Sequence, residues 1–344
     1  MKFIFTALLS FITFGIHAQD YHLLTKRIDS LLLVKYPRTF NGVVLIQKDK
    51  EIIYSKAYGF SNFETKKALK LSDGFSTMSI AKQITTVLIM KEVENDNLNL
   101  DQPINDYLPD LAFDWTTKVT IRHLLNNSSG LSSDSLEKPL IFEPGSQFNY
   151  SNIGYGLLGQ ILENVTNKKY EVLVSNLFKK CQMTNSYYQN KHNLKQIVKG
   201  HTIKANGNFV LNDKVSFPTF LYPGSHLIVT AKDLAKWNYL LHNGQLLKDK
   251  SYQEMINYTV TAKHSLFASE PIGYGFGLRI NDLMNQKEIG HTGFHPNEGF
   301  TAVNLYYPKS KMSVIVLENQ ANENFSIAYY FEEQVRKIYL KTQF

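Results

Sequence analysis

A hydroxyl and an amine three residues apart share one face of a helix, so Ser-x-x-Lys is a pattern that can do nucleophilic chemistry. It occurs twice in this chain. Ser79-Ile80-Ala81-Lys82 opens the most apolar helical run, Ile80 to Val93. An ammonium at that place is costly to bury without a task or a partner. Desolvation would lower its pKa and let neutral Lys82 accept the proton of Ser79. The helix N-terminus would favour negative charge developing near Ser79. The second copy, Ser135-Leu136-Glu137-Lys138, is followed at once by Pro139, which disfavours helix at Lys138.

Two further segments carry polar groups in suggestive settings. Tyr150-Ser151-Asn152 follows the turn Glu143-Pro144-Gly145-Ser146 and leads into a helical pattern; Tyr188-Gln189-Asn190 repeats the tripeptide, which is weak alone. His291-Thr292-Gly293 occurs once and ends the β-run Glu288-Ile289-Gly290, where glycine would let a substrate backbone approach closely. Other patterns fail on context. Gly154-Tyr155-Gly156-Leu157-Leu158-Gly159 matches G-x-G-x-x-G, but no β-run precedes it and no acidic residue follows at the ribose-binding spacing. Close helix packing explains its glycines. His291 and His295 are four apart, yet Gly293 and Pro296 argue against a helix that would make them a zinc pair. No G-x-S-x-G elbow is present. Cys181, the sole cysteine, reads as a small buried hydrophobe.

The elements that would position these groups follow from periodicity. Residues 21–34 carry Leu23, Leu24, Ile28, Leu31 and Leu32 at helical spacing. Gly42 to Gln47 and Ile52 to Tyr58 form a hairpin around Lys48-Asp49-Lys50-Glu51. Residues 96–221 are mostly helical in pattern, with turns at 126–133 and 143–146. Strand signals return at 273–280, 287–291, 299–306 and 312–318, and an amphipathic helix closes the chain from Asn324 to Leu340. The expected fold is α/β (α+β): an antiparallel sheet from both chain ends, flanked by the terminal helices, with a mainly helical insertion. The α/β part covers about 19–95 and 222–344, the insertion about 96–221, and a cleft between them would hold the site.

Composition narrows the class. The 344 residues are 43% hydrophobic and 19% charged, with twenty Tyr and twenty-two Phe, which excludes intrinsic disorder. One cysteine excludes a disulfide-stapled scaffold. The charge of +7 is spread over isolated pairs such as Lys66-Lys67 and Lys179-Lys180, so no nucleic-acid partner is expected. Residues 1–18 have the layout of a secretory signal peptide: Lys2, an apolar run from Phe3 to Ile16, and Ala18 before a cut. No cysteine follows for lipid attachment. An exported, periplasmic or secreted protein over residues 19–344 is expected, with no stable membrane span after cleavage. Losing Lys2 leaves +7 − 1 = +6.

In order, Ser-x-x-Lys, Tyr-x-Asn and His-Thr-Gly resemble the penicillin-recognising serine hydrolases, most closely the branch of class C β-lactamases, DD-peptidases and related esterases. The resemblance runs on through Phe40 to Gly59, Leu98 to Pro109, Val119 to Leu125, Pro223 to Trp237 and Tyr274-Gly275-Phe276-Gly277. It implies that Ser79 is the acylated nucleophile and Lys82 its proton-managing neighbour. Tyr150 would be the general base for acylation and the acid toward the leaving group, its pKa lowered by Lys82 and His291. Asn152 would hydrogen-bond the substrate amide or orient Lys82, and Thr292 and Gly293 would contact substrate. The backbone N–H groups of Ser79 and Phe294 would form the oxyanion hole. No metal or organic cofactor is implied.

Three departures bear on substrate choice. His291 stands where many members have Lys, so its field would change near pH 6.5 and activity would change across about pH 6–8, a change that His291→Lys flattens. Phe294 replaces a common Ser or Thr; alternation places Arg279 with Gly275 and Gly277 on one strand face, where it could compensate as a carboxylate donor. The turn Asn126-Asn127-Ser128-Ser129-Gly130 lacks the His that often precedes it in the family. The expected activity is hydrolysis of small amides, esters or peptides, including cell-wall-derived D-amino-acid peptides. A β-lactamase with fast deacylation, or a non-hydrolytic binding or assembly protein, are the alternatives. Sequence leaves the oligomeric state open.

Overall fold

The computed structural model describes residues 21–190, 197–204, 209–212 and 218–342. The leader expected over residues 1–18 lies outside them. No helix among the described residues is long and apolar enough to cross a membrane.

Eight strands form the main sheet: β1 (Gly42–Lys48), β2 (Glu51–Tyr58), β3 (Val260–His264), β4 (Ala268–Tyr274), β5 (Arg279–Asn281), β6 (Glu288–His295), β7 (Phe300–Tyr307) and β8 (Met312–Glu318). Their order is β3-β4-β5-β6-β7-β8-β1-β2, every neighbouring pair antiparallel. The N-terminal hairpin thus completes the sheet of the C-terminal half, with Gly42 opposite Glu318 and Lys48 opposite Met312. Both faces are covered, which is why Val43-Val44-Leu45-Ile46 is an unbroken apolar run rather than an alternation. Val44, Ile46, Val314 and Val316 pack with Leu24 and Ile28 of α1 (residues 21–32) and with Phe331 and Val335 further along. Val43, Leu45, Ile315 and Leu317 share the opposite core with Ile84, Val87 and Leu158.

That second core gathers α2 (Ala81–Glu94), α3 (Asn152–Thr166), α4 (Tyr170–Lys180), α5 (Ala231–His242) and α6 (Asp249–Ile256); α7 (Tyr330–Lys341) closes the chain on the first face. Within residues 96–221 the helical content is lower than the pattern suggests. Long stretches are turns, and short strands occur at Tyr187–Tyr188, His201–Ile203 and Phe209–Leu211. Apolar spacing marks which residues are buried there, but a loop laid over a core buries residues without helical hydrogen bonds. Cys181 is buried, and burial raises its thiol to about 11.

The G-x-G-x-x-G segment lies inside α3, where its glycines admit another segment. A Cβ on Gly156 would fall 2.6 Å from the Phe220 ring, and one on Gly159 2.3 Å from Pro223 Cγ. Gly159→Ala should therefore lower unfolding stability by about 2 kcal/mol, since overpacking a tight contact costs that much. Urea unfolding of the two proteins checks this, and an unchanged midpoint would show that Pro223 yields freely.

Candidate active site

Ser79 sits in a 3-10 turn, Met78–Ile80, that runs directly into α2. Ser79 and Lys82 span the junction of the turn with α2, where residues three apart share a face, so Lys82 lies over Ser79, with Nζ 3.3 Å from Oγ. The turn begins with backbone tension: Met78, a non-glycine residue, has φ +47°. It also abuts β6, where a Cβ on Gly293 would come 2.5 Å from the Thr77 carbonyl oxygen. Glycine is required there by that approach, and it sets Phe294 of the strand beside the serine turn.

Tyr150 and Asn152 are placed by a helix cap. Ser151 is the N-cap of α3, its hydroxyl accepting the Gly154 N–H at 3.0 Å. Asn152 is then the first helical residue and Tyr150 lies just outside. The serine-glycine turn anchors both: Asn127, at φ +57°, accepts the Ser151 N–H on Oδ1 at 3.0 Å and the Asn149 N–H on its carbonyl at 2.8 Å.

Lys82 is fully buried. Its amine donates to Asn152 Oδ1 at 2.7 Å and to the Gly224 carbonyl at 2.8 Å, and meets Ser79 Oγ at 3.3 Å. The first two partners can only accept. A neutral amine satisfies all three, giving two N–H donors to the oxygens and its lone pair to the serine hydroxyl. Burial, reinforced by the Arg279 charge, holds the Lys82 pKa well below the ordinary amine range. The rings of Tyr150 and Tyr155 lie 4.7 and 5.1 Å from Nζ. Gly224 carries no side chain to betray its part. Its segment is pinned by Thr77 Oγ1 donating to the Ser225 carbonyl at 2.8 Å and by His226 Nε2 against Glu298 Oε1 at 2.8 Å.

Two electrostatic expectations are corrected. The Tyr150 phenol is not lowered: burial pushes it up to about 12, and the Ser79 hydroxyl and Arg279 charge offset only part of this. His291 is not a conditional cation over pH 6–8. Burial first, then Arg279 and Lys82, drive its pKa well below 6.5. Its hydrogen bonds agree: Nδ1–H donates to the Thr292 carbonyl at 2.6 Å, and Nε2 accepts from the Tyr274 hydroxyl at 3.0 Å. The exposed Lys263 lines the same pocket as Ser79 and Tyr150, and the charge that acts on Lys82, Tyr150 and His291 alike is Arg279. Its strand setting differs from the expected alternation, because β4 ends at Tyr274 and Gly275–Leu278 make a turn with Gly277 at φ +65°. Arg279 instead pairs opposite Tyr274 on one side and Gly290 on the other. It is 7% exposed, and its Nε and Nη1 have no hydrogen-bond partner among the described residues.

Ser79, Tyr150, Arg279, His291, Thr292 and Phe294 line one pocket of about 400 Å³, with Lys82 and Asn152 behind Ser79. His264, Phe325 and Tyr329 line it too and carried no sequence signal, since they come from a strand end and a C-terminal helix far along the chain. The other Ser-x-x-Lys does not converge: Lys138 pairs with Asp134 at 2.6 Å on the surface. Asn190 of the second Tyr-x-Asn bonds Glu171. His291 and His295 lie along one extended strand, not a helix.

A hydroxyl beside a buried amine, a phenol across from it and strand backbone alongside can perform acyl transfer through serine. The comparisons with known proteins agree with that geometry. Protein flp of Staphylococcus aureus is 24% identical over 306 residues, covering 81% of this chain, which spans 59% of that relative's length. The octameric penicillin-binding protein homologue from Pyrococcus abyssi superposes with TM-score 0.76 at 25% identity, covering 88% of this chain and 73% of that one. D-amino acid amidase from Ochrobactrum anthropi SV3 shares the fold with TM-score 0.78 at 19% identity, over 93% of this chain and 100% of that one. The Beta-lactamase family model matches residues 33–335, nearly the whole of the described chain and every element around Ser79, so this protein belongs to the beta-lactamase family of serine hydrolases.

Proposed function

We propose that the chain is an exported acyl hydrolase of DD-peptidase, D-aminopeptidase or esterase type that works through an ester on Ser79. The observation that carries the reading is the buried Lys82 amine with two acceptor-only partners and the Ser79 hydroxyl. Ser79 Oγ attacks the substrate carbonyl carbon and its proton passes to neutral Lys82. The carbon–nitrogen or carbon–oxygen bond breaks, and the leaving atom takes the Tyr150 proton, which Lys82 then replaces. Water cleaves the ester, so each turnover consumes one water. The N–H groups of Ser79 and Phe294 face the developing oxyanion. Thr292 and Gly293 border the substrate, and Asn152 keeps Lys82 aimed. Arg279, buried with Nε and Nη1 unpartnered among the described residues, supports recognition of an anionic substrate group. Substrates are small amides, esters or peptides, with D-amino-acid peptides of the cell wall foremost. Export rests on the leader pattern of residues 1–18.

Intact mass after exposure to a fluorophosphonate, and separately to a penicillin, tests this. A fluorophosphonate adduct is expected, with a penicillin adduct that persists. Rapid penicillin turnover would make the chain a β-lactamase instead, and folded protein that takes neither reagent would be a binding protein.

A further inference from the structure

The pocket beyond Tyr150 has a second chemical character besides the Arg279 charge. Phe325, Phe294 and Tyr329 meet pairwise at centroid distances of 4.7 to 5.7 Å, and the His264 ring stands 5.6 Å from Phe325. Tyr329 is held in place, buried, with its hydroxyl on the Gly293 carbonyl at 2.7 Å. Phe325 is different. It stays 36% exposed and Phe294 half-exposed, although both lie against other aromatic rings. These rings share a pocket with the Arg279 guanidinium and with Ser79 and Tyr150. Apolar ring surface is thus left open next to a buried guanidinium that stacks at 5.5 Å over the Tyr274 ring and whose Nε and Nη1 have no hydrogen-bond partner among the described residues, a poor arrangement for an empty surface. It is a good one for a ligand that presents a planar apolar group beside an anion.

We propose that this is the leaving-group subsite, and that it selects leaving groups carrying a carboxylate together with an aromatic side chain, as in an aromatic amino acid or its hydroxy-acid counterpart. This rests on the reading of Ser79 as the acylated residue and Tyr150 as the proton donor. The group that departs must lie within reach of the Tyr150 hydroxyl, and the rings and Arg279 line the same pocket as Tyr150 and Ser79. Arg279 takes the carboxylate, while Phe325, Phe294 and Tyr329 enclose the side chain. The bonds made and broken are those of the acyl transfer above, with no further reactant.

The test uses N-acetylglycyl esters of phenyllactate, of lactate and of phenyllactamide, each as both enantiomers. The first has ring and carboxylate, the second lacks the ring and the third lacks the charge. Expected is a kcat/KM for the better phenyllactate ester about tenfold or more above either of the others, the scale on which an apolar pocket discriminates. In Phe325→Ala and Phe325→Leu the phenyllactate-to-lactate ratio should fall toward one, each variant first shown to take the fluorophosphonate adduct. Equal rates for phenyllactate and lactate esters in the wild type, or a ratio that survives both Phe325 substitutions, would overturn the subsite while leaving the hydrolase reading intact. Failure of every ester with an enzyme that still takes the adduct overturns it as well. Absence of both turnover and adduct removes the Ser79 reading itself.

Discussion

Ser79→Ala should abolish fluorophosphonate labelling and lower hydrolysis of any substrate by about 10⁴-fold or more, with the fold intact. Loss of the atom that forms the covalent intermediate is the largest single effect available to such a site. Ser79 is half-buried in its turn, and its hydroxyl meets Lys82 Nζ and the Tyr150 phenol but bonds no core backbone. Alanine therefore leaves no hydrogen-bonded framework broken. Ser135→Ala is the control, because Ser135 accepts from the Glu137 N–H and Lys138 is occupied by Asp134. Intact mass and circular dichroism on the three proteins decide the matter. Labelling that persists in Ser79→Ala would place the nucleophile elsewhere.

Lys82→Arg is expected to cost about 10³-fold in the rate of acylation. A guanidinium cannot give up its proton, so it cannot act as the acceptor for Ser79. The pH dependence carries the same sign. In the proposed mechanism the competent form is the neutral amine, and burial and Arg279 hold the Lys82 pKa below its ordinary 10.5. The acylation rate should fall as pH drops through that lowered pKa and reach a plateau above it. His291 is already neutral over this range, because burial drives its pKa well below 6.5. The acid limb should therefore stay where it is in His291→Gln, whatever that change does to the plateau. Fluorophosphonate labelling rates across pH read this directly. A limb that disappears with His291 would return the proton-handling role to the imidazole.

Much of this was legible from local pattern. The hairpin Gly42–Tyr58, the strands from Glu288 to Glu318 and the paired terminal helices follow from period and turn residues, and the structure has them close to the expected bounds. Helix α2 begins one residue later than its apolar run suggests, because the 3-10 turn precedes it. Arg279 was singled out on a strand alternation that the Gly277 turn breaks, and reaches the pocket through cross-strand pairing instead. The error over His291 has a different origin. An imidazole has an ordinary pKa near neutrality, and nothing in the letters His-Thr-Gly states how much water surrounds it.

The order of Ser-x-x-Lys, Tyr-x-Asn and His-Thr-Gly, with the alternation of elements around them, was enough to name the family and the chemistry, since each motif is set by bonds between near neighbours. The state of the charges depends on distant ones. Lys82 is neutral-leaning because it is buried and faces the Arg279 charge, and Tyr150 stays a phenol because burial outweighs the Ser79 hydroxyl and that same charge. The pocket wall joins His264, 27 positions before the His-Thr-Gly motif, to Phe325 and Tyr329, 32 and 36 positions beyond it. Desolvation and convergence are properties of packed surfaces, and packing is where residues without a common pattern acquire a common task.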